Sequence, residues 1–80
     1  VSKRNKFSGN HAFNFDTALV LGSESSSAAK VRKNTLTGTK LYNNTTGLFF
    51  NTSAHNNDAT RNAYTGTTTA VSDLGEGNVY

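Results

Sequence analysis

The chain has 80 residues, enough for one small domain, and a chain of this size buries only about 60% of the surface its unfolded form exposes. Leu, Val and Phe supply 16 positions, Ile is absent and so is Cys, which leaves a thin core and excludes disulfides. The net charge of +3 is too small for a charge-expanded coil and modest for strong phosphate binding.

Charge is nevertheless uneven. Residues 1–33 carry six Lys or Arg against Asp16 and Glu24, a balance of +4, and residues 34–80 carry Lys40 and Arg61 against Asp58, Asp73 and Glu76, a balance of −1. Such asymmetry can steer an acidic partner or order neighbouring copies head to tail, and it also suits solvated ends that keep a marginal protein soluble. The first six residues, VSKRNK, are basic and lead into no apolar run, so residues 1–10 are expected to form a flexible basic arm. No apolar stretch is long enough to span a bilayer as a helix.

Residues 12–21, AFNFDTALVL, alternate in a way that predicts one half-buried strand with Phe13, Phe15, Leu19 and Leu21 on the core face. Gly22 ends it. The polar stretch SESSSAAKVRKN follows and reads as a loop with helical character, where Ser25 or Ser26 can cap a turn or two of helix reaching Asn34 but apolar positions are too few to dock it. From residue 35 short apolar clusters alternate with turn signals. In LYNNTTGLFF, residues 41–50, a polar insert ending in Gly47 separates KLY from LFF, which predicts a hairpin with Gly47 at a positive φ and Leu41, Leu48, Phe49 and Phe50 in the core. Asn, Thr, Ser and Gly fill 38 of the 80 positions, and Thr favours strands while the others favour turns. The expected fold is a single all-β domain over residues 1–80, either a small sandwich or a fibrous, solenoid-like β-structure, completed by oligomerisation.

Thr-Gly recurs at 37, 46 and 65 and Asn-Thr at 34, 44 and 51, at unequal intervals that point to chance or to a degraded repeat. Residues 34–54, NTLTGTKLYNNTTGLFFNTSA, resemble the Asn-Thr/Thr-Gly repeats of phage tail-fibre proteins and trimeric surface adhesins. The match runs through Asn34, Thr35, Thr37, Gly38, Leu41, Tyr42, Asn44, Thr45, Thr46, Gly47, Asn51 and Thr52, with a short spacer before Leu41 and no second full copy after Ala54. ALVLGSESSSA, residues 18–28, is loosely similar to the head repeats of such adhesins. The resemblance implies a trimeric β-rich shaft or head segment without catalysis.

Motifs for chemistry are sparse. His11 and His55 are the only imidazoles, and no Cys or third His completes a zinc site with Asp16 or Asp58, so no metal is expected. Ser27-Ala28-Ala29-Lys30 reads as Ser-x-x-Lys, but the partner motifs of that chemistry are missing. Five scattered carboxylates give no paired acid and base, so neither enzymatic activity nor a cofactor is expected. Asn43, Asn44 and Asn51 each head a glycan acceptor sequon.

The expected role is that of a structural or adhesive subunit of an extracellular or virion assembly, a fibre, shaft, pilus-like or coat component, secreted or at a surface. Its partners would be sister copies, through Phe13, Phe15, Leu19, Leu21, Leu41, Leu48, Phe49 and Phe50, and a host surface or glycan, through Asn43, Asn44, Thr45 and Thr46 with Lys3, Arg4 and Lys6. The alternative is a secreted cationic antimicrobial or toxin-like protein acting on an anionic membrane surface. Basic residues near Phe7, Phe13 and Phe15 also mimic a nucleic-acid patch, but a core-facing register for the rings argues against that partner.

Overall fold

A computed structural model of the chain describes residues 4–24 and 31–80. Among them the protein is all-β, without helix. The strands are β1 (Lys6–Ser8), β2 (His11–Phe13), β3 (Thr17–Leu21), β4 (Val31–Arg32), β5 (Thr35–Thr37), β6 (Lys40–Tyr42), β7 (Thr46–Phe50), β8 (Ala54–His55) and β9 (Thr69–Asp73). Every strand pairing is parallel: β1 with β5, β2 with β6, β4 with β8, and β3 with β7 with β9.

Parallel neighbours far apart in sequence mean that the chain returns repeatedly over the same course. The register steps by 29 residues from Lys6 to Thr35, by 23 from Thr35 to Asp58 and by 21 from Asp58 to Val79. Three successive passes therefore lie side by side, and residues 77–80 open a fourth. The step falls from 29 at Leu21 opposite Phe50 to 23 at Val31 opposite Ala54, so the extra length of the first pass lies between Leu21 and Val31.

Each pass is cornered by residues with left-handed backbone. One corner holds Arg4, Lys33, Asn56 and Gly77, at φ of 58°, 56°, 57° and 68°. The next holds Gly9, Gly38 and Arg61, and the third holds Asn14, Asn43 and Gly66, all at positive φ. Within a pass these corners are five residues apart, as at Lys33, Gly38 and Asn43. A single left-handed residue between short extended segments bends the chain and resets its alternation. The first and third residues after each corner then point inward. In the second pass these are Asn34, Leu36, Thr39, Leu41 and Asn44, all at most 3% exposed, and Thr46, which is half-buried.

The core is thin and centred on the second pass. Leu36, Leu41, Leu48, Phe50, Ala54 and Ala59 are buried, with Ala12, Leu19, Leu21, Tyr64 and Val71 packed against them. Inward positions of the first pass stay wet, and Phe7, opposite Leu36, is 45% exposed. Interior corners are stitched by polar side chains. The backbone N and Nδ2 of Asn5 both donate to Oδ1 of Asn34, those of Asn34 to Oδ1 of Asn57, and those of Asn57 to Oδ1 of Asn78, every bond at 3.0 Å.

Three expectations are corrected. Residues 12–21 are not one strand: the corner at Asn14 (φ 65°) divides β2 from β3, so Phe13 loses the register of Leu19 and stands 43% exposed, and Phe15, an inward position of the first pass, is 54% exposed like Phe7. Residues 41–50 are not a hairpin. β6 pairs with β2 and β7 with β3 and β9, because Asn43 (φ 57°) turns the chain round a corner instead of reversing it. Gly47 is not at a positive φ but lies inside β7, where an added Cβ would come within 2.8 Å of the Ala70 carbonyl oxygen and of the Tyr64 ring. The expected helical turn falls mostly on residues 25–30, outside the described residues, and its remainder, Val31–Arg32, is strand β4. β1 lies within the expected N-terminal arm.

Candidate functional site: two open edges and an aromatic strip

Among the described residues no three of His, Cys, Asp and Glu gather to hold a metal ion. His55 Nδ1 lies 3.7 Å from a carboxylate oxygen of the exposed Glu76, a surface pair worth little. Asp58 is fully exposed, and its carboxyl is held below the ordinary 3.8 by the backbone N–H of Thr60 first, then by the Thr60 hydroxyl, with Arg61 helping against slight desolvation. Burial raises the Tyr64 phenol above its ordinary 10.0, against a weaker lowering by Asn62.

What the fold does present is a pair of sheet edges. Among the described residues nothing pairs with β1, β2 or β3 on the side away from the second pass, or with β9 on the side away from β7. Beneath the first edge lies an open cavity of about 470 Å³, lined by Phe7, Ala12, Leu19, Leu21, Leu36 and Leu41 among others. The last pass ends in Val79 and Tyr80, 56% and 59% exposed, with the Tyr80 ring stacked 5.9 Å from that of Phe50.

The outward face of β2 and β6 carries an aromatic strip. Phe13 stacks on Tyr42 at 5.7 Å and 23°, and His11 lies 5.8 Å from Phe13. The rings meet because outward positions align in register, Phe13 opposite Tyr42. Basic residues gather at the first corner, where Arg4 shares a corner position with Lys33 and its backbone N donates to the carbonyl of Arg32.

The residues expected to act are distributed unequally. Leu41, Leu48 and Phe50 are buried, Leu19, Leu21 and Phe49 are half-buried, and Phe13 and Phe15 are exposed. Of the turn residues offered for surface contact, Asn43 and Thr45 are exposed and Thr46 is half-buried inside β7. Asn44 is corrected: it is 2% exposed, its Oδ1 accepts from Phe15 N at 2.8 Å and its Nδ2 donates to the Ala12 carbonyl at 3.1 Å. An amide so engaged is a corner brace, closed to a partner or to glycan transfer. Arg4 and Lys6 are exposed, and Lys3 lies outside the described residues.

Sequence reasoning missed the Asn5, Asn34, Asn57, Asn78 column. Its signal was present, since each Asn directly follows a corner residue, but that corner residue is in turn Arg, Lys, Asn and Gly. Comparison with protein-family models, with curated proteins and with solved structures finds no match.

Proposed function

We propose that the chain is a non-enzymatic building block, a short β-solenoid whose role is contact within a fibrous, shaft-like or coat-like assembly at a cell or virion surface. What carries the reading is the all-parallel stack, in which each pass depends on its neighbours for burial and, among the described residues, β1, β2, β3 and β9 have no strand on their outer sides. Support also comes from the thin core, in which the second pass alone is fully covered. The tail-fibre and adhesin resemblance of residues 34–54 agrees, since Gly38 and Asn43 of that stretch are corners and Asn44 is a brace. Contact with a host surface falls to the aromatic strip of Phe13 and Tyr42 and to the exposed turn residues Asn43 and Thr45. Native mass in solution tests this: an assembly larger than one chain is expected, and a monomer at every concentration would refute it.

A second reading, action on an anionic membrane surface, draws on the gathering of Arg4, Arg32 and Lys33 at one corner. Leakage of phosphatidylserine-containing vesicles that fades with added salt would favour it, and absence of leakage would remove it.

A further inference from the structure

We infer that the outward face of β2 and β6 is a saccharide-binding site, and that it takes a pyranose carrying a carboxylate, as a polyuronate does. The inference rests on the surface-contact part of the reading above and names the ligand class for that face.

The face lies on the flank of the stack, lateral to every pass above or below it. Its outward positions are His11 and Phe13 in the first pass and Lys40 and Tyr42 in the second, with His11 beside Lys40 and Phe13 beside Tyr42. Each ring is followed directly by a corner asparagine, Asn14 after Phe13 and Asn43 after Tyr42. The backbone holds these corners in step, since Asn14 N donates to the Tyr42 carbonyl at 3.3 Å and Asn43 N to the Thr65 carbonyl at 3.0 Å.

Three features of the face select the ligand. The rings of Phe13 and Tyr42 form an offset stack at 5.7 Å and 23°, with Phe13 exposed, which gives the C–H face of a pyranose an apolar seat. Beside the rings stand polar groups that the fold does not use. Among the described residues the Asn14 and Asn43 amides, the Tyr42 hydroxyl and the Lys40 ammonium have no side-chain hydrogen-bond or ion-pair partner. Asn14, Asn43 and Lys40 are also exposed, and an amide offers the donor and the acceptor that adjacent sugar hydroxyls need. The third feature is charge. No outward or corner position of this side is Asp or Glu, while Lys40 stands in its middle. The nearest carboxylates belong to the adjoining sides: Asp16 precedes β3, and Asp58 lies opposite Thr35 with Arg61 close by. Outward neighbours on one strand are about 6.6 Å apart, so a pyranose seated on Tyr42 brings a carboxylate on its rim within reach of the flexible Lys40 stem. An acidic peptide would satisfy Lys40 but has no pyranose face to lay on the rings.

Trigalacturonate is the probe, with its methyl ester as the uncharged pyranose and triglutamate as the acid without a sugar. In an NMR titration of the whole chain, amide shifts with trigalacturonate are expected at residues 11–14 and 40–43. The ester is expected to bind about two- to fivefold more weakly, the worth of one exposed ion pair, and the gap should close at about 1 M salt. Triglutamate binding as tightly would overturn the saccharide, the ester binding as tightly would overturn the carboxylate, and shifts centred on Arg4, Arg32 and Lys33 would overturn the site. No shift with any probe would overturn the inference altogether. Lys40→Gln should bring trigalacturonate down to the level of the ester, and Phe13→Leu should weaken both sugars about two- to tenfold. Lys33→Gln, at another corner, should change neither, and a loss equal to that of Lys40→Gln would contradict the location. All three positions are exposed, and an unchanged melting midpoint shows each variant folded. An assembly that ignores trigalacturonate would sink this site and leave the building-block reading standing, whereas a monomer that binds it would do the reverse.

Discussion

Truncation of one interior amide should be among the most damaging single changes in the chain. Asn57 is 2% exposed; its Oδ1 accepts from the backbone N and Nδ2 of Asn34 at 3.0 Å, and its Nδ2 donates to the Val31 carbonyl at 2.9 Å and to Asn78 Oδ1 at 3.0 Å. Asn57→Ala strips all four bonds. Val31 and Asn78 are half-buried and recover water, but at Asn34, 2% exposed, two donor groups lose their bonds to Asn57. Each such group costs about 1–3 kcal/mol, so the expected loss is about 4 kcal/mol. A domain of this length has about 4–12 kcal/mol of stability in all, so the variant should be largely unfolded or close to it. Asn5→Ala is the control. Asn5 is exposed and its Nδ2 donates one bond to Asn34, so about 1 kcal/mol or less is expected. Urea denaturation followed by circular dichroism compares the two, and equal midpoints would refute the interior amide column as a main source of stability.

Gly47→Ala should destabilise by roughly 1–3 kcal/mol through overpacking against the Ala70 carbonyl and the Tyr64 ring, visible as a lower melting midpoint. Arg61→Gly, at φ 63°, should be neutral or stabilising, whereas Arg61→Val should cost about 1–2 kcal/mol in the same assay. The Tyr64 phenol titrates above 10.0, so the stability its burial contributes is complete below pH 10 and is lost as pH rises through the elevated folded value. Alkaline unfolding monitored at 295 nm should lag in Tyr64→Phe. The Asp58 carboxyl titrates below 3.8, and Thr60→Ala, which removes the hydroxyl and leaves the backbone donor, should return it part of the way in an NMR titration.

The all-β class was legible because Thr, Asn, Ser and Gly dominate, and burial of Leu41, Leu48 and Phe50 follows from their clusters. Topology was not. Alternation over residues 12–21 looked continuous because two short segments share a period of two on either side of Asn14, and a left-handed residue shifts the phase without changing the apolar pattern. KLY and LFF looked like hairpin arms because a polar insert reads the same whether the chain reverses or rounds a corner. The Thr-Gly pairs misled in the same way: Gly38 and Gly66 are corners of different columns, and Gly47 is strand. The true repeat is one of role, left-handed residue then inward amide or hydroxyl, and many residue types fill the first position. Asn44 looked like a contact residue because polar character is read as exposure, whereas a parallel stack needs buried amides to satisfy its corners.

Amide hydrogen exchange resolved by residue across a concentration series tests most directly whether the passes rely on neighbours for their cover. Amides of the second pass such as Leu36 and Leu41, which donate to Asp58 and Ala63 carbonyls at 2.8 Å, should exchange slowest throughout. Those of β1, β2 and β9 should exchange fast in dilute solution and slow down as concentration rises. Uniform, strong protection of all passes at high dilution would contradict the account.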